Sequence, residues 1–256
     1  MIKNKKGIVF GIANDHSIAW GIAKKLHENG ADIAITYQNE ILLKRVKPLA
    51  DKLNCKLLLE CDVSKKNAIK ETIKDICKKW ENIDFVIHAV AYSDKNELNG
   101  RYLDTSKENF IKTLNISCYS FTEIAKSVEP FMNNGGSLLT LSFFGAKKVI
   151  PNYNVMGIAK AALETSVKYL SVDLGPKNIR VNAISSGPMR TLAGAAIANA
   201  REVYKYTEEN SSLKRNVSLN ELGNTALYFV SDLSKAVTGE VHYVDCGFNI
   251  IGMPKK

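Results

Sequence analysis

Gly7-Ile-Val-Phe-Gly-Ile-Ala-Asn-Asp-His-Ser-Ile-Ala-Trp-Gly21 sets an unbroken apolar run against a polar turn and then a helical pattern. Residues 7–12 are apolar throughout, as in a strand buried on both faces, and parallel sheets are buried on both faces. The same alternation continues along the chain. Strands are expected at 7–12, 32–37, 56–60, 83–88, 137–142, 180–184 and 241–244, with helical stretches at about 17–29, 40–54, 64–79, 106–132, 153–174 and 218–231. Strand–helix alternation implies right-handed crossovers and an α/β, doubly wound parallel sheet of about seven strands with helices on both faces. No linker, repeat or low-complexity tract divides the chain, so residues 1–256 are read as a single domain.

Composition removes other classes. With 45% hydrophobic and 24% charged residues the chain is globular. No apolar run approaches the ~18 residues of a membrane span, so no membrane partner is expected. Asn14 and Asp15 cut short the first apolar stretch, which is read as strand one rather than a leader. A net charge of +9 invites a nucleic-acid partner. The 29 lysines are scattered, mostly beside acids, with no basic stripe among aromatics, so no nucleic-acid role is expected. The five cysteines are odd in number and form no C-x-x-C pair, which fits a reducing, cytoplasmic setting. Four histidines lie far apart with no H-E-x-x-H, so no metal site is expected.

Doubly wound sheets bind ligands beyond the carboxyl ends of their strands. After strand one, Gly11 allows close backbone approach. Ser17 there can cap a helix or donate to a phosphate, and a helix N-terminus favours an anion. After strand two, Gln38 can bond a ribose; neither it nor Asn39 supplies charge for a 2′-phosphate and Glu40 opposes one, which outweighs Lys44 and Arg45 a turn further on and points to NADH over NADPH. After strand three, Asp62 can accept from an adenine amino group or simply close a turn before Ser64; alone, the turn is the better reading. After strand four, small Ala89 and Ala91 leave room for a flat ring, and His88 reads as a packed strand-end residue.

After strand five a helix is expected to start near Asn152 or Tyr153, carrying Tyr153 and Lys160. Seven steps of ~100° return to within ~20° of the start, so both lie on one face about 10 Å apart. Helical side chains lean toward the N-terminus, which lets the ammonium approach a ligand that the phenol also contacts. Tyr-x6-Lys also occurs at Tyr37/Lys44, Tyr119/Lys126 and Tyr228/Lys235, so spacing alone is weak. Context selects Tyr153: it follows a strand, begins a helix and precedes the small residues Gly157, Ala159, Ala161 and Ala162.

Pro151-Asn-Tyr-Asn-Val-Met-Gly-Ile-Ala-Lys160, the Gly11…Ser17-Ile18-Ala19 loop and Ser186-Gly-Pro-Met-Arg-Thr-Leu192 together resemble bacterial enoyl-acyl-carrier-protein reductases. This is a divergent branch of the short-chain dehydrogenase/reductases, used in type II fatty-acid synthesis. The likeness runs on to Val244-Asp-Cys-Gly-Phe-Asn-Ile-Ile-Gly-Met253. No Tyr here has a Lys four residues later, unlike the branch that acts on alcohols and ketones.

The resemblance implies a Rossmann-type fold and hydride transfer from NADH to the β-carbon of a trans-2-enoyl thioester. By it, Tyr153 steadies the enolate oxygen and Lys160 holds the nicotinamide ribose. Gly11, Ser17, Ile18, Gln38, Asp62, Val63 and Val90 would contact the cofactor, and Met189, Thr191, Leu192 and Ala193 its nicotinamide end. Ser93, Tyr153 and Met156 would border the acyl chain. Residues 191–215 would form a small helical lid, whose bases Arg201, Lys205, Lys214 and Arg215 could meet an acidic acyl carrier protein. The apolar C-terminal segment would be buried between subunits of a homotetramer. Three positions depart from the family pattern: Phe143 where a second active-site Tyr is usual, and Ala91 and Cys246 where Gly is usual.

Overall fold

The computed structural model describes residues 1–192, 194 and 200–253. Seven strands form one sheet in the order β3-β2-β1-β4-β5-β6-β7. They are β1 (Lys6–Phe10), β2 (Asp32–Tyr37), β3 (Leu57–Glu60), β4 (Phe85–His88), β5 (Gly136–Phe143), β6 (Ile179–Ser186) and β7 (Val241–Val244). Every neighbouring pair is parallel. The order reverses between β1 and β4, and the crevice past their carboxyl ends is where such folds bind ligands.

Helices α1 (Ile18–Glu28), α2 (Glu40–Lys52) and α8 (Leu219–Val230) cover one face. Helices α3 (Ala68–Cys77), α5 (Ser120–Val128) and α6 (Asn154–Leu174) cover the other. Alternate residues of each strand feed the two cores: Val9 and Ile35 pack with α1, while Ile8 and Ala34 pack with α3 and α5. This two-sided burial is why the strands read as continuous apolar runs. Glycines let α1 and α8 touch: a Cβ on Gly21 would lie 2.8 Å from Cβ of Leu219, and one on Gly223 would lie 3.0 Å from the Gly21 carbonyl.

Two expected elements differ. Strand one stops at Phe10 because Gly11 takes φ +102° and turns the chain out of the sheet. The single helix expected at 106–132 is instead α4 (Lys107–Leu114), a π-helical turn Asn115–Tyr119, α5 and a short 3₁₀ turn. Pro130 ends regular hydrogen bonding there by lacking an N–H. The wide turn aims Ser120 at His88 and Ser117 at Tyr92. Ser120 Oγ donates to the Ile116 carbonyl at 2.7 Å and lies 2.9 Å from His88 Nε2, while Ser117 bonds both backbone groups of Tyr92.

Candidate active site

A cavity of about 1300 Å³ opens at the carboxyl ends of β1, β4, β5 and β6. At its floor a Cβ on Gly11 would run into the Ala89 carbonyl, so the backbone of β1 approaches that of β4 as no other residue type allows. Ser17 stands at the N-cap of α1, but its side chain does not cap the helix. Its Oγ instead accepts from the N–H groups of Ala13 and Asn14 at 3.0 and 3.1 Å. The first turn of α1 carries no acidic residue and faces the cavity through Ile18 and Ala19. Amides and dipole there favour an anion.

Tyr153 is the cap residue of α6, held between two left-handed asparagines, Asn152 at φ +60° and Asn154 at φ +37°. Asparagine tolerates that region better than other side chains. Asn154 Nδ2 donates to the carbonyls of Leu98 and Gly100 at 3.1 and 3.3 Å, tying the loop after β4 to the head of α6. Tyr153 is buried with Leu98, Val155, Met156 and Ala159. The Phe143 ring meets it edge-on, with centroids 5.1 Å apart. Burial and the Glu164 carboxylate hold the Tyr153 phenol above its ordinary range, so it is protonated at neutral pH.

Lys160 is buried, and its Nζ donates to the Leu141 carbonyl at 2.7 Å. Burial pulls its ammonium down to about 8, against the opposing influence of Cys118 and Glu164. A buried ammonium with one protein acceptor still has donors to offer a ligand. In the other three Tyr-x6-Lys pairs the lysine is exposed. Tyr153 and Lys160 both line the cavity.

Gly11, Ser17, Ile18, Val90, Ser93, Met156, Met189, Thr191 and Leu192 share that lining. Gln38, Asp62 and Val63 do not. Gln38 is exposed after β2, and Val63 is packed into the core against α3. Asp62 accepts from the N–H and Oγ of Ser64 at 3.0 and 2.7 Å, so it closes a turn and borders a smaller pocket beyond β3. Ala193 lies outside the described residues. Thr191 Oγ1 accepts from the Gly194 N–H at 2.9 Å. Helix α7 (Ala200–Asn210) brings Arg201, Tyr204 and Lys205 to the cavity wall, with the Arg190 guanidinium 4.4 Å from the Tyr204 ring centre.

Arg215, half exposed, forms a forked pair with Glu221 at 3.0 and 2.6 Å, which holds the Glu221 carboxyl down at about 2. Glu221 also completes the capping box of α8, so the pair serves a helix start. Lys214 donates to the Glu209 carbonyl at 2.9 Å. His88 is packed, as expected, between Thr140 and Ser120 at 2.7 and 2.9 Å. Cys246 sits at φ +57°, the region where glycine alone is unstrained.

Spacing and context single out Tyr153 and Lys160, but no sequence signal marks Leu98, Ile150 or Tyr204, which reach the cavity through loops and helix α7. Among the described residues no group of three or more His, Cys, Asp or Glu could hold a metal ion.

Residues 11–249 match the family model described as "Enoyl-(Acyl carrier protein) reductase". A relative from Rhizobium meliloti (strain 1021), enoyl-[acyl-carrier-protein] reductase [NADH] 2, is 54% identical over 254 residues, which cover 99% of this chain and 95% of that protein. The Rickettsia typhi protein named enoyl-[acyl-carrier-protein] reductase [NADH] FabI is 52% identical over 255 residues, covering 100% and 98%. The crystal structure of the Anaplasma phagocytophilum enoyl-(acyl-carrier-protein) reductase in complex with NAD superposes with a TM-score of 0.96 at 53% identity, covering 100% of this chain and 97% of that one. By sheet order, site and sequence alike, this chain belongs to the enoyl-acyl-carrier-protein reductase family.

Proposed function

We propose that the protein reduces the trans-2 double bond of enoyl thioesters carried on an acyl carrier protein, with NADH as reductant, in the last reductive step of fatty-acid elongation. The observation that carries this reading is the protonated Tyr153 phenol and the buried Lys160 ammonium lining one cavity at the sheet's switch point. The residues present fit a dinucleotide. Gly11 and Ala89 bring bare backbone to the cavity lining, the first turn of α1 is free of acid, and Lys160 keeps donors toward the cavity. NADH, when bound, supplies the hydride. Lys160 would hold the nicotinamide ribose, Ile18 and Ala19 amides the phosphates, and Val90, Met189, Thr191, Leu192 and Ala193 the nicotinamide end.

Reduction at the β-carbon leaves negative charge on the thioester oxygen. A phenol kept protonated by burial donates a hydrogen bond to that oxygen, and a fixed donor in a dry site stabilises such charge strongly. The Lys160 cation adds positive potential nearby. Phe143 cannot donate, so Tyr153 carries this role without the second hydroxyl usual in the family. Ser93, Leu98 and Met156 would line the acyl chain, and residues 191–215 would close over it as a lid. Arg201 and Lys205, exposed beside the cavity mouth, would meet the acidic carrier. We also assign the chain to a homotetramer in the cytoplasm. Exposed apolar Ile250 and Met253, with Tyr169 and Val172 on α6, support burial against further copies.

Steady-state oxidation of NADH and NADPH with short trans-2-enoyl thioesters and with small ketones tests the reading. NADH turnover with enoyl thioesters is expected; faster turnover of ketones would reject it.

A further inference from the structure

Helix α6 buries two charges. Glu164, one turn past Lys160, is 2% exposed, yet the reaction requires no carboxylate from it. A buried carboxylate costs several kcal/mol unless it is paired and hydrogen-bonded. Here Oε1 accepts from Ser142 Oγ at 2.7 Å, and Oε2 lies 3.1 Å from Nζ of Lys147, whose side chain is half exposed. Ser142 directly follows Leu141, the residue whose carbonyl accepts from Lys160 Nζ at 2.7 Å. Two consecutive residues at the end of β5 are thus gripped by two side chains on one face of α6.

We propose that Glu164 is a positioning residue for Lys160: it latches Ser142 to α6, fixes the Leu141 carbonyl that aims the ammonium, and sets a buried negative charge beside it. This rests on the reading that Lys160 binds the cofactor. The groups facing Lys160 are known. His88 on β4 is neutral, its pKa driven down to about 3 by burial. Cys118 in the π-helical turn is held above the ordinary thiol value by burial, and Tyr153 stays protonated. Tyr243 on β7 lies near Glu164 and is raised by burial. Glu164 is therefore the charged neighbour of Lys160 and Lys147 the cation that pairs with it, so removing either should act on Lys160, with opposite signs.

The test is the NADH dissociation constant followed by fluorescence from pH 6 to 10. Wild type should bind more weakly as Lys160 loses its proton near pH 8. Glu164→Gln keeps an acceptor for Ser142 but drops the charge, so the midpoint should fall by about one pH unit. Lys147→Gln should move it the other way. Lys160→Met should bind NADH weakly at pH 7 and lose the alkaline transition. A uniform weakening by Glu164→Gln at every pH, with the midpoint unmoved, would mean mere structural support and overturn the proposal. So would both variants shifting the same way. If Glu164→Gln does not fold, the Lys147→Gln midpoint decides: an upward shift supports the proposal and no shift rejects it. If Lys160→Met binds NADH as wild type does, the reading of Lys160 fails first and takes this inference with it.

Discussion

His88 shows how much a single buried residue can tie stability to pH. Its ring nitrogens lie 2.7 Å from Thr140 Oγ1 and 2.9 Å from Ser120 Oγ, and Ser120 donates onward to Ile116. That chain makes Nε2 the donor, and the ring stays neutral. Burial lowers its pKa from 6.5 to about 3, with Lys160 adding to the effect. Below 6.5 the unfolded chain takes up a proton that the folded chain refuses until about 3, so stability falls as pH falls through that window. The loss should reach a few kcal/mol. Urea unfolding at pH 7 and 4.5 should show it, and His88→Gln should show a shallower fall; an equal fall would assign the acid sensitivity elsewhere. Tyr153 and Lys160 were legible because strand end, helix start and spacing coincide. Glu164 was not: it reads as one more polar residue on a helix, and its burial depends on Ser142 from a strand 22 residues away.

Among elements, α1 carries Ser17 at its head, in the cavity lining, and its body is held by a close crossing with α8. Gly→Ala inside a helix ordinarily stabilises by up to about 1 kcal/mol. At Gly21 the added methyl would sit 2.8 Å from Leu219 Cβ and 3.0 Å from its carbonyl, so the helices must part. Gly21→Ala should therefore destabilise by about 1–3 kcal/mol, read as a lower urea midpoint. A higher midpoint would refute the tight crossing. The strands were legible from their apolar runs to within a few residues. The π-helical turn Asn115–Tyr119 was not, because one wide turn leaves the spacing of buried residues almost helical, and its cause is the pull of Ser117 and Ser120 toward β4. The turn at Asp62 was legible from its place before Ser64, whereas the core packing of Val63 against α3 depends on a helix further along the chain.

At the scale of the whole molecule, a net charge of +9 sits mostly on scattered lysines, and the sequence could not say which of them face a partner. Position narrows it: Arg201 and Lys205 line the cavity and are exposed, Lys205 also lying 3.6 Å from Glu209, whereas Arg215 pairs with Glu221 away from the cavity lining. Reversing both, Arg201→Glu with Lys205→Glu, should raise KM for a carrier-bound enoyl substrate about tenfold, more than for a free thioester, and flatten its salt dependence. Equal effects on both substrates would place the carrier elsewhere. The central claim concerns one phenol that donates to a developing oxyanion without holding the cofactor in place. Single-turnover reduction of an enoyl thioester at saturating NADH, comparing wild type with Tyr153→Phe, tests it most directly. The account predicts a rate ~10²–10³ slower with NADH affinity unchanged; an unaltered rate, or a loss residing wholly in NADH binding, would contradict it.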